Sequence, residues 1–112
     1  SNRFNATVFG SGKIDVLVKT GTGGADIFGS GDIILKGRSD ITELRTNGSG
    51  SIKAFDLVSK TTVARIGGSG DVETQSIDFL RAEIYGSGDV FYKGNPQMET
   101  VIVGSGAVYH RQ

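Results

Sequence analysis

Apolar residues in this chain fall into columns that recur about every nineteen positions. The frame is a Gly-Ser-Gly triplet that begins at Gly10, Gly29, Gly48, Gly68, Gly86 and Gly104, with successive spacings of 19, 19, 20, 18 and 18 residues. Four positions after each first glycine stand Ile14, Ile33, Ile52, Val72, Val90 and Val108. Two positions before it stand Val8, Ile27, Thr46, Ile66, Ile84 and Ile102, and two further back Ala6, Ala25, Leu44, Ala64, Ala82 and Thr100. All these offsets are even, so in an extended chain the columns share one face. The second glycines, Gly12, Gly31, Gly50, Gly70, Gly88 and Gly106, have the same parity as the first. Both glycines are therefore expected on the inward face of a strand that bends where side chains are missing, with the intervening serines pointing out. The alternative is a true turn with positive φ at one glycine.

A period of 18 to 20 residues is too short for helical-hairpin repeats or propeller blades and fits one coil of a β-solenoid. The expected fold is an all-β, single-stranded parallel β-helix, each coil supplying two or three short strands. Coils stacked at about 4.8 Å turn the Ile/Val columns into a core that no single coil could bury alone. The leucine-rich repeat shares this length, but its L-x-x-L-x-L-x-x-N pattern is missing. The segment "IDFLRAEIY" could form a short amphipathic helix, yet its tail matches a strand column and it reads as strand. The chain opens and closes in mid-coil, giving five whole coils and two halves in one domain spanning 1–112. Capping of the end coils is expected from irregular packing, from sequence beyond these residues, or from oligomerisation.

Composition changes this picture little. Glycine is the outlier, 18 of 112 residues, with one Pro. Twelve basic residues balance twelve acidic ones and no basic run occurs, which argues against nucleic acid as a partner. Cysteine is absent, so disulfides and thiolate chemistry are excluded. No apolar run reaches the roughly 20 residues of a membrane span. The lack of an initiator Met is expected of a mature or trimmed chain, from which an export signal or anchor could have been removed.

The chemical motifs fit poorly. "GGSGDV" approaches the calcium-binding nonapeptide of β-rolls, but Asp follows Gly directly and each coil holds one motif where a β-roll needs two. Asp71 and Asp89 fall on adjacent coils, where solvated carboxylates are the simpler reading, and no metal or cofactor is expected. "GSGK" lacks the remainder of a P-loop, and "GTGGAD" lacks the helix of a dinucleotide site. A Ser-His-Asp set would have to recruit His110, the only histidine, close to the chain end. Connections this short build no walled cleft for paired carboxylates, so no catalytic residue is assigned. Aromatic residues remain: Phe9 with Phe28, and Phe91 with Tyr109, are expected to stack on successive coils, shielding the sheet or offering a platform for sugar faces or subunits. "KGNP" is expected to turn.

The phrases "GSGDVFYKGNP" and "VIVGSGAV", with "IFGSGDIILKG" and "IGGSGDVET", make the chain resemble the autotransporter adhesin head GIN domain family over nearly its whole length. The resemblance implies a right-handed parallel β-helix in an exported or envelope protein of bacteria, with adhesion as the family role and no ligand site to carry over. Lys13, Ser51 and Ala107 replace the Asp found at Asp32, Asp71 and Asp89. The expected function is non-enzymatic: a secreted or cell-envelope domain that binds a glycan or a host or bacterial cell-surface partner. The candidate contact residues are Tyr85, Phe91, Tyr92 and Tyr109, with Asp71 and Asp89 as polar neighbours. The alternatives are an oligomerisation or stalk module, a homo-oligomer such as a trimer, and, more remotely, a carbohydrate-active enzyme.

Overall fold

Each Gly-Ser-Gly triplet interrupts an otherwise continuous strand. The structure, a computed structural model, describes residues 3–111, with Thr20 described by its backbone alone. Eight strands follow in order: β1 (Arg3–Gly10), β2 (Lys13–Gly29), β3 (Asp32–Gly48), β4 (Ser51–Gly68), β5 (Asp71–Gly86), β6 (Asp89–Lys93), β7 (Gln97–Val103) and β8 (Ala107–His110). All pair in parallel, β1-β2-β3-β4-β5-β6-β8, with β7 also on β5. The sheet winds into a solenoid whose rung spacing is the sequence repeat, since Gly10, Gly29, Gly48, Gly68 and Gly86 are register partners in succession. No helix occurs among the described residues, and "IDFLRAEIY" lies within β5. In place of two or three short strands per coil, β2 to β5 run for 16 to 18 residues each, because the ladder continues around the other bends.

The three inward columns are where parity placed them. Ile27, Ile33, Ile52, Ala64, Ile66, Val72, Ala82, Ile84 and Val90 have no exposed surface. Burying an Ile side chain this fully stabilises the fold by about 1.5–3 kcal/mol, and each gains that only because the coils above and below cover it. At the last coil the same column opens to solvent: Ile102 is 43% exposed, although its partner Ile84 is fully buried.

The triplet itself corrects the expectation that both glycines face inward along a bent strand. The first glycine of all six triplets has a positive φ, between 88° and 133°, so the corner is a true turn. The second glycine is the inward one, buried in Gly31, Gly50, Gly70 and Gly88. All six serines between them are exposed, as expected. The turn is needed because each corner receives two hydrogen bonds from the coil above. Ser30 and Gly31 N–H both donate to Gly10 O, at 3.0 and 2.9 Å, and the same fork recurs on Gly29, Gly48, Gly68 and Gly86. A Cβ on Gly70 would run into Gly50 O of the coil below and approach Thr46 Oγ1 at 2.9 Å. Bare backbone at the corner is thus what lets one coil sit on the next.

Departures from the nineteen-residue rung are absorbed away from the corners. Between β3 and β4 the register shifts at Ile34 and Lys36, where the twenty-residue coil inserts its extra residue as a bulge. Between β4 and β5 it shifts from Ala54↔Thr74 to Val58↔Gln75 and again after Ser59↔Ser76. In this stretch the interior carries hydroxyls: Ser39, Ser59 and Ser76 are register partners and buried. Thr42 and Ser59 share a 2.6 Å hydrogen bond, and Ser76 donates to Thr62 at 2.6 Å. Ser39 donates to Ile41 O at 2.8 Å. Buried hydroxyls so paired avoid the desolvation cost of unmatched ones.

Candidate functional site

Outward side chains form vertical ladders, and the corner separates two of them. On the strands leading into it, a charged ladder centres on Glu83, the one buried carboxylate among the described residues. Arg65 Nε reaches Glu83 Oε2 at 3.3 Å from the coil below, and the Tyr85 hydroxyl donates to Oε1 at 3.2 Å. Arg81 Nε stands 3.0 Å from Oε2 but off the hydrogen-bond direction, an ionic contact, and Arg81 also reaches Glu99 at 3.4 Å. Burial alone would raise the Glu83 pKa. The Arg81 charge, the hydrogen bonds from Arg65 and Tyr85 and the Arg65 charge together outweigh it and hold the carboxyl below its usual value. Beside this ladder a shallow groove of about 260 Å³ is lined by Asp26, Glu43, Leu44, Arg45, Val63 and Arg65.

A carboxyl whose folded pKa is lowered adds stability above its unfolded value and gives it up as pH falls through the folded one. Thermal melts of the wild type should therefore lose stability below about pH 4.5, the ordinary Glu value, more steeply than melts of Glu83→Gln. Parallel profiles for the two would remove Glu83 from the acid transition.

On the strands that leave the corner, the ladder is aromatic. Phe91 and Tyr109 stack with centroids 5.3 Å apart and planes 17° apart, and Phe9 and Phe28 stack at 5.2 Å on the strands before the corner at the other end of the solenoid. The Arg111 guanidinium lies over the Phe91 ring, 4.8 Å from its centroid, a cation–π contact. Tyr92 has the parity of the inward columns, partners Thr74 and is half-buried. Its ring meets His110 at 4.9 Å. His110 belongs to β8, and its Nε2 lies 3.0 Å from Gly94 O, which ties the last strand to the turn at Lys93, Gly94, Asn95 and Pro96. That turn forms as "KGNP" suggested, with φ of +98° at Gly94.

The structure thus brings Phe91, Tyr109 and Arg111 together and sets Tyr92 beside them on His110. Tyr85 is placed elsewhere, across the corner in the charged ladder. Asp71 and Asp89 are partly committed to the backbone: Asp71 Oδ1 accepts from Asp89 N–H and Asp89 Oδ1 from Ala107 N–H, each at 3.1 Å. In the earlier coils a glycine carbonyl takes this part, Asp32 N–H donating to Gly12 O at 3.0 Å and Ser51 N–H to Gly31 O at 3.2 Å. Lys13 can therefore stand at the Asp position without loss, since the Asp32 N–H above it is already taken by Gly12 O.

One grouping has no sequence signature. Gln75 and Lys93 are register partners, Arg111 lies one coil further on, and the three meet His110 at the KGNP turn. They surround an opening of about 370 Å³ lined by Gln75, Lys93, Gly94, Asn95, His110 and Arg111. Lys93 and Arg111, eighteen residues apart in sequence, are thereby brought to one opening.

Residues 1–96 match the family model described as "Putative auto-transporter adhesin, head GIN domain". No curated protein matches the chain. Among solved structures, a "putative lipid binding protein" from Parabacteroides distasonis is 26% identical with a TM-score of 0.79, over 99% of this chain and 56% of its own. A "putative adhesin" from the same species is 26% identical with a TM-score of 0.77, over 97% of this chain and 57% of its own. A "putative adhesin" from Bacteroides fragilis, 22% identical with a TM-score of 0.78 over 94% of this chain and 56% of its own, shares the fold. The chain therefore spans a little over half the length of each of these structures.

Proposed function

Since this chain belongs to the auto-transporter adhesin head GIN domain family, we propose that it is a non-enzymatic adhesion module of the bacterial envelope or secreted fraction, which binds a glycan on a cell surface. The observation that carries this reading is the Phe91–Tyr109 stack, in which Tyr109 is 46% exposed and Phe91 half-buried, with the Arg111 guanidinium on the Phe91 ring. Flat aromatic faces take the C–H face of a sugar, and the continuous parallel sheet beneath holds them without loops that must order on binding. The coil interior is filled by side chains such as Ile33, Ile52, Val72 and Val90, all without exposed surface, which favours a ligand held on the outer face over one held inside.

A glycan array combined with light scattering tests the proposal. The expected result is a monomer that binds saccharides, with affinity reduced roughly tenfold, about 1.4 kcal/mol, in Phe91→Ala and Tyr109→Ala at unchanged fold. A stable trimer that buries the aromatic stripe and binds no glycan would make the domain a stalk or assembly module.

A further inference from the structure

The opening at the KGNP turn has a chemistry that the aromatic platform lacks. Lys93 and Arg111 each rest their charge on an aromatic ring, Lys93 Nζ over Phe55 at 4.7 Å from its centroid and Arg111 over Phe91 at 4.8 Å, and both line the same opening. Its volume is about 370 Å³, with Gln75 and Asn95 supplying amides and His110 an imidazole whose Nε2 is spent on Gly94 O. No carboxylate lines it. Its volume is near the lower end of the range for small-ligand sites. Gly94 forms the turn at φ +98°, and a Cβ there would meet Ser76 O, so the backbone beneath the opening is fixed by close stacking on the previous coil.

We propose that this opening is a subsite for an anionic saccharide, with Lys93 and Arg111 receiving a carboxylate or sulfate group and the neighbouring Phe91–Tyr109 stack carrying the sugar ring. The inference rests on the glycan-binding reading and narrows it to charged sugars. Both cations are presented against aromatic rings and are free of ion pairs among the described residues, so their N–H donors remain available. A planar guanidinium pairs two oxygens of one anion, and the amides of Gln75 and Asn95 suit the flanking hydroxyls. A saccharide fits better than a membrane surface, because the platform beside the charges is a flat, partly exposed ring pair with no long apolar side chain at the opening to insert into lipid.

The test is calorimetric titration of the full chain with a trimer of galacturonic acid, its methyl ester, and sulfated and unsulfated chondroitin fragments, at low and physiological salt. The acid or the sulfated fragment should bind about tenfold or more tightly than the uncharged ester, and Lys93→Gln and Arg111→Gln should each remove about tenfold of that preference. Lys19→Gln, an exposed lysine on an early coil, should leave it unchanged. Binding of the acid identifies the group as a carboxylate, and tighter binding of the sulfated fragment than of unsulfated chondroitin, which has the same uronate carboxylates, identifies it as a sulfate. Equal affinity for acid and ester, lost on Phe91→Ala, would overturn the anionic subsite and leave glycan adhesion standing. Absence of binding to any saccharide would overturn both. Capture by phosphatidylglycerol vesicles, weakened by the same two variants and exceeding saccharide binding, would reassign the opening to a lipid headgroup. Melting curves of Lys93→Gln, Arg111→Gln and Lys19→Gln should coincide with the wild type, since none of these side chains is buried, and Phe91→Ala, which loses a ring stack, should still melt cooperatively.

Discussion

Gly70→Val is expected to cost about 3 kcal/mol or more, while Ser69→Ala, one residue away, costs about 1 kcal/mol or less. The contrast follows from the corner. Gly70 is buried, and any Cβ there is driven into Gly50 O, a backbone atom of the coil below that cannot rotate aside. Ser69 is exposed, and its contribution to the fork on Gly48 O is its N–H, which alanine keeps. Urea unfolding of both variants decides the matter. Domains of this size have only about 5–15 kcal/mol of stability in total, so the Gly70 variant should be largely unfolded or shifted to a much lower midpoint. Similar midpoints would mean that the faces have been assigned the wrong way round. Gly68→Ala adds a separate check: its φ of +114° is strained for any residue with a Cβ, so it too should destabilise although Gly68 is exposed.

The columns of Ile, Val and Ala were legible because a period of 2 within a repeat of about nineteen fixes a face without any knowledge of the bends. The solenoid and its register follow from that alone. Parity could not reveal the conformation at the corner. Counting alternate residues assumes an extended chain, and a positive φ at Gly29 or Gly48 turns the chain without changing the count. The buried hydroxyls of Ser39, Ser59 and Ser76 were hidden for a related reason. They lie where the repeat passes from 19 to 20 to 18 residues, so offsets counted from the triplet no longer align. Asp71 and Asp89 were recognised as a column, but their bonds to the N–H groups of the next coil depend on a side-chain rotamer that the sequence does not encode. Of the candidate contact residues, Phe91 and Tyr109 could be paired from the eighteen-residue spacing. The basic opening could not, because it joins a turn residue, Lys93, to two residues near the chain end. Tyr85 was grouped with the aromatics by residue type, although its odd offset before the triplet puts it on the charged ladder with Glu83.

Packing between successive coils sets the second large effect. The β-branched residue two positions before each corner lies under the inward glycine of the next coil: a Cβ on Gly31 would meet Val8, on Gly50 Ile27, on Gly88 Ile66, and on Gly106 Ile84. Ile66→Ala removes a fully buried side chain and should cost about 2–5 kcal/mol. Gly88→Ala should also be costly, and the question is whether the two changes compensate. A Cβ at Gly88 would stand 2.7 Å from Ile66 Cγ2, a contact that Ile66→Ala relieves, but it also collides with Gly70 O, which no side-chain change can move. The double variant should therefore be less stable than Ile66→Ala alone, with a favourable coupling of only about 1 kcal/mol from partial filling of the vacated space. Rescue to the stability of Ile66→Ala would show that side-chain crowding, and not the approach of backbone to backbone, keeps glycine at this position. The same cycle applied to Thr46 and Gly70 should couple differently, because Thr46 Oγ1 donates to Gly50 O at 3.2 Å and its loss also frees that carbonyl.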